Sequence, residues 1–379
     1  MYRFDIKMQY TNNQLKANSF AFVLVYFLYS VVVFPGLFIG QGPATILLSV
    51  LTILPILFLN FRMGFNTGTK RVLLFEFLLF TLLLLEILLY PRYIVPILEA
   101  FTSLLTIGTI GLIAATLETD LKLCYKYGNY LAVFGLLSSI MLIFTMSGED
   151  LFAASMRFAY AILPSVLWFL LMYFYQGRKT YLIAFLLSFA PMLVWGSRGA
   201  TVCIFLFLLL YILKNKPQLI FLLILFVIIF TFDIKQILVE LFTWLEAVTG
   251  SDKIGDFADL FAGEEEARDK IYDYCRFKIS QNILGYGVGW WMYDSNMYGM
   301  FPHNVILHLG TEFGIFGLLF FLILSVSSIR LVFVSTKEKS LLYMYFISIC
   351  MGRLMVSSTY WDRPEFWFLI GISFFRRKL

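Results

Sequence analysis

The sequence predicts an all-α polytopic membrane protein, and three observations carry that prediction. Apolar runs long enough to cross a bilayer follow one another almost without a break along 379 residues. The composition, 60% hydrophobic and 14% charged with a mean hydropathy of +0.84, excludes a soluble globular domain. Basic residues recur in every second link between the runs, the pattern expected of a chain that weaves through a membrane.

A span needs about 20 apolar residues, fewer where its ends are anchored. Runs of that kind lie near 19–39, 44–61, 72–90, 93–116, 130–146, 158–175, 181–196, 199–213, 219–232, 313–334, 340–356 and, shorter, 365–375. They give about twelve transmembrane helices in one integral domain, residues 1–379. The first 18 residues carry Arg3, Asp5, Lys7 and Lys16 without an apolar core, and no small-residue cleavage site follows, so the first run is expected to remain as an uncleaved anchor. Arg62, Lys70 and Arg71 follow the second run, Lys122 and Lys126 the fourth, Arg178 and Lys179 the sixth, Lys214 and Lys216 the eighth. Lys337 and Lys339 follow the tenth, and Arg376, Arg377 and Lys378 the last. Both termini are therefore expected in the cytoplasm, with the long polar loop 233–302 outside.

Within that loop, Ile234, Ile237, Leu238, Leu241, Phe242 and Leu245 recur at helical spacing and predict an amphipathic helix from Asp233 to Val248 on the membrane surface. Glu264, Glu265 and Glu266 suit the first turn of a second helix, from Ala267 to Asn282. On it Arg268, Tyr272 and Arg276 fall at i, i+4 and i+8, one stripe that suits a phosphate. Gly285, Gly287 and Gly289 follow, in a run lacking the Lys-Ser/Thr of a phosphate-binding P-loop. Cys124, Cys203, Cys275 and Cys350 are too scattered for a disulfide framework or a metal-ligand spacing, so no metal is expected.

The two histidines, His303 and His308, both lie where the chain re-enters the membrane. Imidazole is the side chain whose ordinary pKa lets it take a proton near neutral pH, so His303 is the first candidate for a general base. His308 and Glu312 stand four apart, the spacing of a hydrogen-bonded pair on one helix face. The expected topology puts Arg198, Arg268, Arg276 and Arg353 on the same outer side as His303. Arg198 sits in a turn where the positive-inside rule disfavours a cation, and it wants either a bound anion or a lipid head group. Arg353 has Asp362 and Glu365 as alternative partners. Arginine forks and a base at an outer surface describe a site for a lipid diphosphate, whose good leaving group needs no general acid.

Pro302-His303-Asn304 followed by Glu312, Gly314 and Gly317, preceded by Leu284-Gly285-Tyr286-Gly287-Val288-Gly289 and by Ser197-Arg198-Gly199-Ala200, resembles the bacterial O-antigen polymerase and O-antigen ligase superfamily. In motif the likeness covers about residues 190–330, in hydropathy the whole chain. The resemblance implies a multi-span glycosyltransferase of the C type in the bacterial inner membrane, with its active site on the periplasmic face. It implies undecaprenyl-diphosphate-linked oligosaccharides as donor and acceptor, and no nucleotide sugar, metal or other cofactor. The bilayer and a chain-length regulator protein are its implied partners, and nucleic acid is not one. By the same likeness Arg198 and Arg268 bind the diphosphate, with Arg276 able to stand in for Arg268, and His303 is the base. Arg353 joins the diphosphate group by its side of the membrane, and Asn304, Glu312 and Tyr272 are supporting residues. Transfer to lipid A core by a ligase is the alternative within the family. From another class, a flippase or transporter would use acidic residues inside spans, and Glu76, Glu86 and Glu99 are the candidates; the last two either line an outward cavity or pair with Arg92.

Overall fold

A computed structural model describes residues 12–39, 67–145, 155–195, 198–216, 234–250, 267–297, 300–356 and 359–376, and among them every regular element is a helix. Six helical stretches are long and apolar enough to cross a membrane: Asn13–Phe34, Gly68–Leu89, Pro91–Thr116, Leu121–Thr145, Met156–Gln176 and Val305–Val334. Three shorter apolar ones cover Lys179–Met192, Gly199–Asn215 and Pro364–Phe375. The expected spans at 44–61 and 219–232 lie outside the described residues.

Helix α1 (Asn12–Ile39) begins earlier than its apolar run because its polar first turns find partners. Asn18 donates to the Glu118 carbonyl at 3.0 Å, and Ser19 Oγ accepts the Asp120 N–H at 2.9 Å. Helix α2 is Thr67–Leu89. The span expected at 93–116 is not one continuous α-helix. After the 3-10 turn Pro91–Tyr93 it runs as α3 (Ile94–Ser103), a π turn at Leu104–Gly108, and α4 (Thr109–Thr116). Helices α5 (Leu121–Thr145), α6 (Ser155–Gln176), α7 (Lys179–Trp195) and α8 (Arg198–Asn215) follow.

In the long loop, α9 (Ile234–Thr249) and α10 (Ala267–Gln281) occupy the two helical stretches expected there. Trp244 and Val248 of α9 are exposed, as an amphipathic surface helix requires. Helix α11 (Val305–Val334) begins eight residues before its expected span and is broken inside at Gly314. Helices α12 (Lys337–Leu354) and α13 (Pro364–Ile370), the latter running into a π turn at Gly371–Phe375, complete the chain.

Lipid is as apolar as a helix surface, so close packing and interhelical hydrogen bonds hold such a bundle. Helix α1 runs through its middle, with every residue from Ala21 to Leu28 buried. Tyr26 stacks on Phe346 of α12 with centroids 4.4 Å apart, and meets Phe368 of α13 edge-on at 5.2 Å. Ser30 Oγ donates to the Ala161 carbonyl of α6 at 2.5 Å, and Trp168 Nε1 donates to Asn129 Oδ1 of α5 at 2.9 Å.

Several links with basic residues meet at one end. Lys214 donates to the carbonyls of Val332 and Ser335 at 2.6 and 2.8 Å. Arg376 reaches the Ala115 carbonyl and Thr119 Oγ1, at 3.1 and 2.7 Å, beside the link that holds the start of α1. Tyr125 of α5 donates to the Glu338 carbonyl at 2.7 Å, which brings Lys337 and Lys339 to the same end. At the far ends of the same helices lie Glu86, Arg353 and the turn before α13.

Candidate functional site

The site is built around a helix that stops and restarts. Gly314 has φ 58 and ψ −137, a conformation open essentially to glycine alone. The break takes the carbonyls of Thr311 and Glu312 away from their usual helical donors, and buried carbonyls must find others. The glycine-rich loop supplies them. Tyr286 N–H donates to the Thr311 carbonyl at 2.8 Å and Gly287 N–H to the Glu312 carbonyl at 3.0 Å, while Ile315 N–H returns to the Ile283 carbonyl at 2.8 Å. Gly285, also left-handed at φ 88, lies where a Cβ would overlap the Glu312 carbonyl.

Two carboxylates finish the docking. Glu86 of α2 accepts the Val288 N–H at 2.9 Å, and Glu312 accepts the Gly289 N–H at 2.8 Å. The N–H groups from Tyr286 to Gly289 are thereby used to hold the loop against α2 and α11. The glycine run is a structural joint rather than a cradle for phosphate.

Glu312 is the hub. It is buried, and besides accepting the Gly289 N–H it pairs with His308 Nε2 at 3.1 Å and accepts the Tyr360 hydroxyl. The i, i+4 pairing read from the sequence is therefore present, with a third partner from the turn before α13 that spacing does not reveal. Asn304 caps α11, its Oδ1 accepting the N–H groups of Ile306 and Leu307 at 2.9 and 3.3 Å. His303 precedes the cap with φ 52, left-handed for a residue that is not glycine, and its ring lies 4.0 Å from that of Phe301.

A cavity of about 120 Å³ opens between α3, the glycine-rich loop, α11 and the turn at 359–362. Glu99, Asp362, His308 and Glu312 are among its walls, with the rings of Trp291 and Trp361. Asp362 is fixed by hydrogen bonds from Ser103 Oγ at 2.6 Å and Thr359 Oγ1 at 2.9 Å. Glu99 thus lines a cavity, Glu86 is committed to the loop, and the Arg92 guanidinium lies 4.5 Å over the Tyr93 ring. Trp361 also borders an apolar groove of about 320 Å³ between α2, α11 and α13, walled by Leu79, Phe313, Phe320 and Trp367. The groove lies between apolar helices, and it shares the Trp361 wall with the polar cavity.

The arginines divide. Arg353 is buried on α12, with its guanidinium 4.2 Å over Tyr29 and 4.5 Å over Tyr160, and 3.6 Å from Glu365. Glu365, and not Asp362, is the partner it takes from the two expected. Arg363, which the sequence reading passed over, lies 5.5 Å over the same Tyr29 ring. Burial, and then the positive charge of Arg353, pushes the Arg363 pKa down to about 10. Arg198 is the first residue of α8; the next residue, Gly199, packs against the Tyr160 hydroxyl, which puts this helix start beside the Arg353 cluster. The side chains of Arg198 and Arg268 are outside what the structure describes.

Arg276 does not join the cavity's lining. It is two-thirds exposed and pairs with Asp273 of its own helix at 2.6 Å, an ion pair of little energetic weight at a surface. Tyr272 is partly buried.

The opposite face of α10 carries a cluster that the stripe reading missed. Lys278 Nζ lies 3.0 Å from Asp294 and 4.8, 5.5 and 5.6 Å over the rings of Tyr286, Tyr274 and Trp290. The Tyr274 hydroxyl donates to Asp294 at 3.0 Å. Cys275 beside them is buried, and burial, with Asp294 next, pushes its thiol up to about 12, which makes it inert. The sequence signal was available only for the i, i+4 pair Tyr274 and Lys278.

The cluster gives the loop a pH window. Burial opposes the charge on Asp294, but hydrogen bonds from Lys278, the Asn296 N–H and Tyr274 hold its carboxyl below the usual range. Burial likewise opposes the charge on Lys278, and its bonds to Asp294 and Tyr274 win, so its ammonium is held above the usual range. A depressed acid stabilises above its unfolded pKa, about 3.9, and loses that contribution as pH falls through the folded value. A raised base contributes below about 10.4 and loses its contribution as pH rises through the folded value. Amide protection in residues 290–297, taken relative to the intrinsic exchange rate at each pH, should therefore hold from about pH 4 to pH 10 and fall at the acid end, and Asp294→Asn should remove the acid-side change.

No family model, curated protein or solved structure matches the chain.

Proposed function

We propose that the chain is a membrane glycosyltransferase that joins lipid-linked oligosaccharide units at the outer face of a bacterial inner membrane. In this reading it crosses the membrane about twelve times with both termini in the cytoplasm. The donor is a glycan on a polyprenyl diphosphate, and the acceptor is a hydroxyl of a second lipid-linked glycan. The observation that carries the reading is the polar cavity at the head of a lipid-side apolar groove, with Trp361 as their common wall. That pair of volumes suits a substrate with a hydrocarbon tail and a sugar head.

The chemistry needs two further elements. A leaving diphosphate needs positive charge, and Arg353 and Arg363 stand together, with Glu365 and Asp362 beside them and α8 bringing the Arg198 backbone towards the same cluster. An acceptor hydroxyl needs a base, and both histidines stand at the head of α11. No residue is required to protonate the leaving group, because a diphosphate departs as a stable anion.

A second reading has one observation of its own. Glu76 is buried inside α2, and its Oε1 has no hydrogen-bond partner among the described residues, a feature of proton-coupled transporters. The two readings separate in cells. Deleting the gene should leave lipid-linked single repeat units on the outer face if the chain polymerises them, and should strand them on the inner face if it transports them.

A further inference from the structure

The hydrogen bonds around Glu312 dictate where the proton on His308 sits. Oε1 of Glu312 accepts the Gly289 N–H and Oε2 accepts the Tyr360 hydroxyl, so both carboxylate oxygens already serve as acceptors. The Nε2 of His308, 3.1 Å from Oε1, faces an acceptor, and a neutral ring meets it with its proton on Nε2. Nδ1 is then a bare lone pair. It is buried and has no hydrogen-bond partner among the described residues, although the His308 ring lines the polar cavity. A buried acceptor without a partner in a native site calls for an explanation, and a ligand that donates a hydrogen bond is one.

We propose that the cavity between α3, the glycine-rich loop, α11 and the turn at 359–362 binds the acceptor sugar, and that His308, held by Glu312, takes the proton from its attacking hydroxyl at Nδ1. The proposal rests on the glycosyl-transfer reading and deepens it. Asp362 and Glu99 accept hydrogen bonds from neighbouring sugar hydroxyls, and the faces of Trp291 and Trp361 cover its C–H surface.

In the step, the acceptor oxygen forms a bond to the anomeric carbon of the donor while the bond from that carbon to the diphosphate oxygen breaks. The electron pair leaves with the diphosphate and the acceptor's proton goes to His308. The imidazolium so formed faces Glu312, which stabilises it as the acid of a catalytic triad does. The other titratable groups around the ring are Tyr360, which shares Glu312, Glu86 behind the glycine-rich loop, and Glu99 and Asp362 in the cavity. His303 is reached through Phe301, whose ring is 4.0 Å from His303 and 6.5 Å from His308. His303 does not line the cavity, and it acts here by positioning the Asn304 cap at the head of α11.

The test compares the purified parent, His308→Gln and His303→Gln on the lipid-linked repeat unit that accumulates in cells lacking the gene. His308→Gln should lower kcat by roughly 10²–10⁴-fold with KM within a few-fold, and should erase the fall of the parent's rate at acid pH. His303→Gln should keep that acid limb. The reverse pattern, with the limb lost in His303→Gln and kept in His308→Gln, overturns the assignment; a parent without transfer overturns the glycosyl-transfer reading instead. A measurement that needs no activity uses the fact that the chain has only two histidines. In His303→Gln protein labelled with nitrogen-15 at histidine, His308 should show the neutral tautomer protonated at Nε2 at pH 7. A signal from the Nδ1–H tautomer or from imidazolium at that pH sinks the proposal, even if His308→Gln fails to fold.

Discussion

Gly314→Ala is expected to prevent the site from assembling, at a cost above about 4 kcal/mol, the range reserved for backbone conflicts that cannot relax. At φ 58 and ψ −137 the alanine backbone is strained before any contact is counted. Its Cβ would also overlap the Ile283 carbonyl oxygen, which is backbone and is held by the Ile315 N–H. Relief would require moving the whole segment from Ile283 to Gly289, and with it the N–H groups that satisfy Thr311, Glu312 and Glu86. The variant should be recovered in the membrane in low yield, and its glycine-rich loop should be cut by protease where the parent's is protected. Parent-like yield and protection would show that the break at Gly314 is not needed.

Glu312→Ala is the second large effect. It removes one acceptor from three donors, the Gly289 N–H, His308 Nε2 and the Tyr360 hydroxyl, around a buried carboxylate. Each buried donor left unsatisfied costs about 1–3 kcal/mol, so a loss of roughly 3–5 kcal/mol is expected once the cavity admits water to one of them. Glu312→Gln keeps one acceptor oxygen but turns an NH₂ towards a donor. It should cost about 1–2 kcal/mol, because the Tyr360 hydroxyl can rotate and accept. Thermal unfolding in detergent reads both variants against the parent. Equal midpoints for Glu312→Ala and the parent would mean that the carboxylate does not organise the site.

Much of the fold was legible because a membrane demands it. Apolar runs and basic links gave the helices at 130–146, 158–175 and 199–213 to within a few turns, since lipid leaves backbone polar groups no partner but the helix itself. The break at Gly314 and the π turn before α4 were not legible. Both depend on what packs against them, and Gly314 in sequence is only one of several glycines.

At the site, spacing along one helix carried as far as one helix reaches. The His308–Glu312 pair follows from it, whereas the start of α11 at Val305, capped by Asn304, lies eight residues ahead of the expected span. Tyr360, Asp362 and Arg363 come from a turn about 50 residues further on, and only the fold brings that turn to the cavity. The stripe of Arg268, Tyr272 and Arg276 was read as facing a ligand, yet Asp273 one turn earlier gives Arg276 its anion in solvent. The glycine run lacks the residues of a phosphate-binding loop, and its N–H groups are used by the chain's own carbonyls and carboxylates.

The direct test of a transferase with a sugar cavity at the head of a lipid groove uses purified protein in detergent, with the accumulated lipid-linked repeat unit as the only glycan. EDTA is added, and nucleotide sugar is left out. Polyprenyl diphosphate should be released in step with the lengthening of the remaining lipid-linked glycans, and Trp361→Ala, which opens the wall between cavity and groove, should slow both together. An unchanged repeat unit in this mixture, moved across the bilayer when the same protein is placed in vesicles, would contradict the transferase and support the transporter.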